Sequence, residues 1–285
     1  MKARTPPMLS KSRFLAGLQC PLRLWYQCYE PQLATEISPA QQAIFDTGHE
    51  VGRLATKLYP KGVHIEEEYF RHDQAVRSTV AAMGTPDVRA IYEAAFVYDG
   101  VRIRVDILQK LDNGKWNLIE VKSSTNVKDV HLPDVAVQDY VLHGCGLSIE
   151  QAGILHLDKQ YVYEGSHLDL ERLFSFTDLT DKLFVQIGLV PSQLNDFKEM
   201  LADNKAPSIP PDRHCMNPYP CEFWDHCTRK MPEFWVIGLS GIGQNRLCEL
   251  ADMDVQDIRD IPASFPLTQF QKRIRSCAIN QEEYV

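Results

Sequence analysis

"VRIRVDILQKLDNGKWNLIEVKSS" occupies residues 101–124. It reads as two strands around a turn, because apolar and polar residues alternate on both sides of Asp112-Asn113-Gly114. On the first strand Val101, Ile103, Val105 and Ile107 face one way, and Arg102, Arg104 and Asp106 face the other. On the second, Trp116, Leu118, Glu120 and Lys122 share a face, while Asn117, Ile119, Val121 and Ser123 share the opposite one. An acid and a lysine thus project side by side from an otherwise apolar strand. Charges there are costly to bury unless they are paired or bind a metal.

The hairpin register decides whether Asp106 joins them. A two-residue turn on Asn113-Gly114 places Asp106 opposite Val121, with its carboxylate pointing away from Glu120. A three-residue loop, Asp112 to Gly114 with the glycine left-handed, places Asp106 opposite Glu120 across about 4.8 Å of strand spacing. The sequence alone permits either. A shared cation requires the second, so the three-residue loop is the expected register. Two carboxylates so placed bind Mg²⁺ or Mn²⁺ through oxygen. The lysine ammonium orients a water or stabilises charge developing on a phosphate. A surface ion pair on a half-exposed sheet is the bland alternative for an isolated Glu-x-Lys.

Outward from the hairpin the texture changes. Residues 1–85 are expected to be mostly helical, and "AIFDTGHEVGRLATKLY" puts Ile44, Gly48, Val51, Ala55 and Leu58 on one stripe. "AIYEAAFVY" and "AGILHLDKQYVYEG" add strands, and "DVAVQDYVLHGCG" forms a helix opened by Pro133-Asp134. Residues 170–204 read as helical. "NKAPSIPPDRH" is a proline-rich loop, and 231–285 holds short helices.

The 285 residues allow one large domain or two small ones. The apolar fraction of 44% and charged fraction of 24% suit a globular protein. A net charge of −8 argues against a basic coat, so nucleic acid would need a local groove. No apolar run reaches the roughly 20 residues of a membrane span, and "MKARTPPMLSKSRF" has no secretory apolar core. A cytoplasmic location is expected. There most of the eight cysteines would be reduced, with Cys28, Cys145, Cys248 and Cys277 as buried small hydrophobes.

"RVDILQKLDNGKWNLIEVKSS" resembles the core of the PD-(D/E)XK nuclease superfamily, in its RecB-like branch. The resemblance implies an α/β restriction-endonuclease-like fold: a mixed sheet flanked by helices, with a cysteine-rich iron–sulfur segment and a small C-terminal helical region. It implies a nuclease domain over 1–230 and a helical tail over 231–285. "DTGHEVGRLA" is similar to the branch's histidine segment, which makes His49 a metal ligand beside Asp106, Glu120 and Val121. Lys122 completes the catalytic set. "VAVQDYVLHG" is similar to the helix carrying glutamine and tyrosine, matching Gln138 and, less well, Tyr140. Tyr140 lies about 200° round the helix from Gln138. Glu93, on the preceding strand, is a further acid or an ordinary strand carboxylate.

"HCMNPYPCEFWDHC", residues 214–227, spaces Cys215, Cys221 and Cys227 by five intervening residues each. Cys20 sits far upstream in "GLQCPLRLWY". One cysteine before the nuclease core and three after it resembles the iron–sulfur subgroup, similar to CRISPR-associated RecB-like exonucleases, and implies a [4Fe–4S] cluster on Cys20, Cys215, Cys221 and Cys227. Zinc remains the alternative, with His214 and His226 as substitute ligands, although Cys₄ zinc sites usually pair closer cysteines. Plain buried thiols are a third reading, and Cys28 is a substitute for Cys20. In the tail, "LSGIGQNRLCEL" resembles a helix-hairpin-helix turn, with Gly241 and Gly243 approaching a phosphate, or it is a tight helix–helix turn with no ligand. "QFQKRIR" adds a basic helix.

The expectation is therefore a metal-dependent DNA nuclease. Exonuclease action on single-stranded or end-bearing DNA is implied by the resemblance, alone or within a larger DNA-processing complex. The alternative is an inactive nucleic-acid-binding or assembly module held by a cluster or zinc. The chain is full length or part of a longer protein.

Overall fold

A computed structural model describes residues 5–165 and 167–281. The chain forms two compact units. The first holds the residues up to 31 together with 36–208, and the second holds 32–35 with 209 onward.

The first unit is an α/β structure built on one mixed sheet. Its strands are β1 (Leu9–Ser10), β2 (Gly62–His64), β3 (Ala90–Tyr98), β4 (Val101–Lys110), β5 (Trp116–Lys122), β6 (Ile149–Leu157) and β7 (Phe174–Asp178). Their order is β2-β3-β4-β5-β6-β7, with β1 pairing β4. The helices are α1 (Lys11–Gln19), α2 (Pro21–Tyr29), α3 (Pro39–Thr56), α4 (His72–Met83), α5 (Leu132–Gly144), α6 (Leu170–Leu173) and α7 (Thr180–Ala202).

Local chemistry starts and stops these elements. Ser10 caps α1 by accepting from the Arg13 N–H at 3.2 Å. Ser38 and Gln41 form a reciprocal capping box on α3 ahead of Pro39. β3 and β4 join through Asp99-Gly100, both at positive φ (46° and 75°), the two-residue turn that matches strand twist. β4 and β5 join through the three-residue loop, with Gly114 at φ 81°. Their register pairs Ile107 with Ile119 and Lys110 with Trp116, so Asp106 falls level with Glu120.

Each face of the sheet buries its own core. On one, Ile91, Ile103, Val105, Trp116, Leu118 and Ile154 pack with Phe14 of α1, Leu24 of α2, Val137 and Val141 of α5 and Leu194 of α7. On the other, Ala90, Ile107, Ile119 and Leu155 pack with Val51 and Ala55 of α3.

The structure corrects several expectations. Ile107 does not share a face with Val101, Ile103 and Val105. The β3–β4 ladder skips the pair Glu93/Asp106, and Glu93 takes φ 55°, so alternation inverts across that point. Ile44 is exposed, because only the C-terminal half of α3 reaches the sheet. Within 170–204, Phe174–Asp178 is a strand that pairs antiparallel with β6. Cys145 and Cys248 are exposed and Cys28 and Cys277 half-buried, so none is fully buried, although Cys28 packs against the core; Cys145, for one, caps the end of α5.

The second unit contains the cysteine segment, α8 (Trp224–Thr228), α9 (Gln244–Asp252) and α10 (Gln269–Asn280). Val236, Leu239, Ile242, Leu250, Ile258 and Ile261 form its core. Trp235 and Asp257 bridge antiparallel, and the Trp224 and Trp235 rings lie 5.8 Å apart. Arg213 donates to the Ile242 carbonyl, and Gln244 to Asp212 at 3.1 Å. These ties group the cysteine segment with the tail in one compact unit. Among the described residues no helix is long and apolar enough to cross a membrane.

Candidate active site

The site begins where the β4–β5 ladder stops. Pairing runs only from Lys110/Trp116 to Ile107/Ile119. At the next position the Asp106 Oδ2 accepts from the Val121 N–H at 2.7 Å, so a side chain takes the place of a ladder bond and the strands part. β3 covers one edge of β4 along its length. The other edge, vacated by β5, is filled by β1, with Leu9 beside Val101 and Ser10 beside Arg102. The chain then turns straight into α1, which starts with Lys11.

Lys11 therefore enters the fork. Its Nζ donates to Glu120 Oε1 and Oε2, both at 2.9 Å, and lies 3.1 Å from Asp134 Oδ1. Lys122 donates to Glu120 Oε1 at 2.7 Å and to Asp134 Oδ2 at 2.6 Å. Gln138 Nε2 donates to Glu120 Oε2 at 2.8 Å and to the Asp134 carbonyl at 3.1 Å. Glu120 is 2% exposed and Gln138 fully buried.

The sheet and α5 cause this convergence. Glu120 and Lys122 extend the Trp116–Leu118 face, which α5 covers. Asp134 sits in the first turn of α5 and Gln138 one turn later on the same side. A carboxylate at a helix N-terminus is also favoured by the helix dipole.

The electrostatics follow from burial and pairing. Burial pushes the Asp106 carboxyl up, the Glu120 charge adds to it, and Lys11 offsets only part, leaving it at about 8. Burial alone would raise Glu120 too, but Lys11 and Lys122 outweigh it and hold Glu120 well below the carboxylate range. Burial works against both ammonium groups. Asp134 and Glu120 more than offset it for Lys11, as do Glu120 and Asp134 for Lys122, so both lysines stay above their ordinary value.

Asp106, Glu120, Lys122 and Gln138 are thus brought together, with the Val121 backbone bonded to Asp106. Tyr140 is not. Its hydroxyl donates to Asp99 at 3.0 Å and its ring packs edge-on to Tyr98, at the β3–β4 turn. His49 is exposed on α3, which packs on the Ile107–Ile119 face, opposite the one that carries Glu120. Glu93 is half-buried, and its charge adds to the upward push on Asp106.

Sequence reasoning missed Lys11 and Asp134. Lys11 lies 109 positions before Glu120, with no local signal linking them. Asp134 was readable only as the opening of a helix.

Among the described residues no group of three or more His, Cys, Asp or Glu side chains is arranged to hold a metal ion. The pair Asp106 and Glu120 still suits a hard cation. Glu120 already has a cationic group across both oxygens, Asp106 is pushed up by burial and by the Glu120 charge, and the buried Gln138 Oε1 has no partner. Mg²⁺ and Mn²⁺ need only one or two protein carboxylates, with water and substrate oxygens completing the shell.

In the second unit Cys215 and Cys221 are buried and Cys227 half-buried. The Cys221 N–H donates to the Cys215 carbonyl at 2.7 Å, and the Cys227 N–H to the Phe223 carbonyl at 2.9 Å. His214 Nε2 lies 3.5 Å from the Cys215 sulfur. A thiol-rich set suits iron–sulfur or zinc rather than a hard cation. In the first unit Cys20 is buried at the junction of α1 and α2. At "LSGIGQ", Gly241 takes φ 71° and Gly243 caps α9, a tight turn into a helix.

No family model matches the chain, and no curated protein matches it. A solved structure titled "Crystal structure of SSO0001" is similar over 79% of this chain and 87% of its own, at 14% identity and a TM-score of 0.37.

Proposed function

We propose that the first unit is a metal-dependent DNA nuclease of the PD-(D/E)XK type, with a restriction-endonuclease-like core of the RecB-like branch. What supports the reading most is the level placement of Asp106 and Glu120 at a splayed strand pair, with Lys122 bonded to Glu120. The substrate class, single-stranded or end-bearing DNA, follows from the resemblance.

A bound Mg²⁺ or Mn²⁺ would polarise a phosphoryl oxygen and lower the pKa of its water. Asp106 and Glu120 would hold it, with the Val121 carbonyl and His49 assigned by the resemblance alone. Lys122 keeps its proton at Nζ and directs it at charge developing on the phosphate. Asp134 aims that ammonium, and Gln138 fixes the Glu120 carboxylate. For the second unit we propose that Cys215, Cys221 and Cys227 ligate a [4Fe–4S] cluster, with zinc as the alternative. Cys20 as fourth ligand rests on the sequence resemblance.

The test is an anaerobic purification followed by incubation with end-labelled single-stranded DNA and Mn²⁺, beside Lys122→Ala. The expected result is degradation that drops by about 10²–10³-fold in the variant. No degradation by a folded, Mn²⁺-loaded wild type would instead favour a binding module. A visible absorption spectrum and metal analysis separate cluster from zinc.

A further inference from the structure

Two cations, Lys11 and Lys122, hold Glu120, and this bears on how the site would take up a metal. A carboxylate offers about four lone-pair directions. Lys11 uses one on each oxygen, Lys122 takes another on Oε1 and Gln138 another on Oε2. Glu120 is therefore full, and a divalent cation cannot join without displacing a donor.

The three donors are not equivalent. Gln138 is wholly buried and anchored to the Asp134 carbonyl. Lys122 holds only one Glu120 oxygen and bonds Asp134 at 2.6 Å. Lys11 alone spans both oxygens, and it already has a second acceptor, Asp134 Oδ1, at 3.1 Å. It also reaches the fork from the first turn of α1, a separate element from the β5–α5 scaffold that carries the other groups.

We propose that Lys11 is a displaceable counter-ion of the site: it neutralises Glu120 before metal arrives, competes with the divalent cation for the same oxygens, and moves onto Asp134 when the cation binds. Asp134 is then the receiving carboxylate, and the Lys11–Asp134 pair sets metal affinity. This inference rests on the metal-site reading of Asp106 and Glu120 and names how that site is regulated. Lys11 is a positioning residue.

The full chain, freed of divalent metal, is titrated with Mn²⁺ in the absence of DNA by calorimetry. Wild type is compared with Lys11→Met, Lys11→Arg and Glu120→Gln. Removing the competing charge should tighten Mn²⁺ binding by about 10-fold or more in Lys11→Met. Lys11→Arg should stay at or weaker than wild type, and Glu120→Gln should lose binding. A second measurement uses wild type alone, so it does not depend on a variant folding: amine-reactive labelling of Lys11, read by mass spectrometry, should rise severalfold when Mn²⁺ is added. Equal Mn²⁺ affinity in wild type and Lys11→Met, or labelling that ignores Mn²⁺, overturns the counter-ion role and leaves the nuclease reading intact. Mn²⁺ binding to neither wild type nor Lys11→Met overturns the metal-site reading and the inference with it. Tighter binding in Lys11→Met with no DNA cleavage by wild type keeps the inference and rejects the nuclease.

Discussion

Helices α3 and α5 lie on opposite faces of the same strands, and each was expected to deliver a side chain to the site. α5 is buried from Asp134 to Asp139 and again at Val141 and Leu142, with sheet on one side and α7 on another. α3 fully buries only Val51 and Ala55, with Leu54 packed partly against them, and its N-terminal half faces solvent. The buried positions of α5 cannot turn polar residues to water, so Asp134 and Gln138 must find partners, and they find Glu120 and the two lysines. A helix with a single buried stripe can leave His49 outside at no cost. Burial of Asp134 and Gln138 is thus what draws α5 into the charged cluster.

The sharpest way to break this comparison is Asp134→Asn, which removes the charge that aims both lysines. Cleavage should fall by about 10–100-fold, as for other groups that orient a metal site, while circular dichroism stays native. Unaltered cleavage would reduce Asp134 to a helix-start residue. Gln138→Leu should act mainly on stability. It strips Glu120 Oε2 and the Asp134 carbonyl of a buried donor, and a loss of about 1–3 kcal/mol should appear in urea unfolding.

Asp139 tests the same burial through pH. Burial pushes its carboxyl up and His143 offsets only part. The folded state therefore prefers the neutral form. That contribution is complete below the ordinary value of 3.8 and is lost as pH rises through the folded-state value. Asp139→Asn should flatten this fall, so that the variant gains on wild type as pH rises above 3.8 in thermal melts. A difference that does not vary with pH would contradict it.

The smallest effect belongs to α3. His49→Ala should leave stability within about 0.5 kcal/mol, as at other exposed sites. Mn²⁺ titration of the same variant sharpens the point. Weakened binding would make α3 a ligand helix after all, and unaltered binding would confine the cation to β4, β5 and α5.

Much of the hairpin was legible in residues 101–124, and for a physical reason. Strand alternation and turn chemistry are local, so the edges of β3, β4 and β5 and the face shared by Glu120 and Lys122 follow from neighbours in sequence. Helical geometry likewise separated Tyr140 from Gln138. The cysteine spacing was legible as well, but it did not show that this segment packs with the tail through Trp235 and Ile242. β7 was hidden because "FSFTD" is too short to carry a pattern before a long helix.

Residues 101–124 carry the hairpin and the charged pair on its inner face in their own order, because each depends on side chains a few residues apart. Tertiary packing set where the ladder ends at Asp106, inverted the parity of β4 there, and closed Lys11 and Asp134 around Glu120. Those facts depend on β1 filling the edge that β5 vacates and on the burial of the first turns of α5. Both are packing outcomes between separate elements, and Lys11 lies 109 positions before Glu120, where no local pattern could carry them.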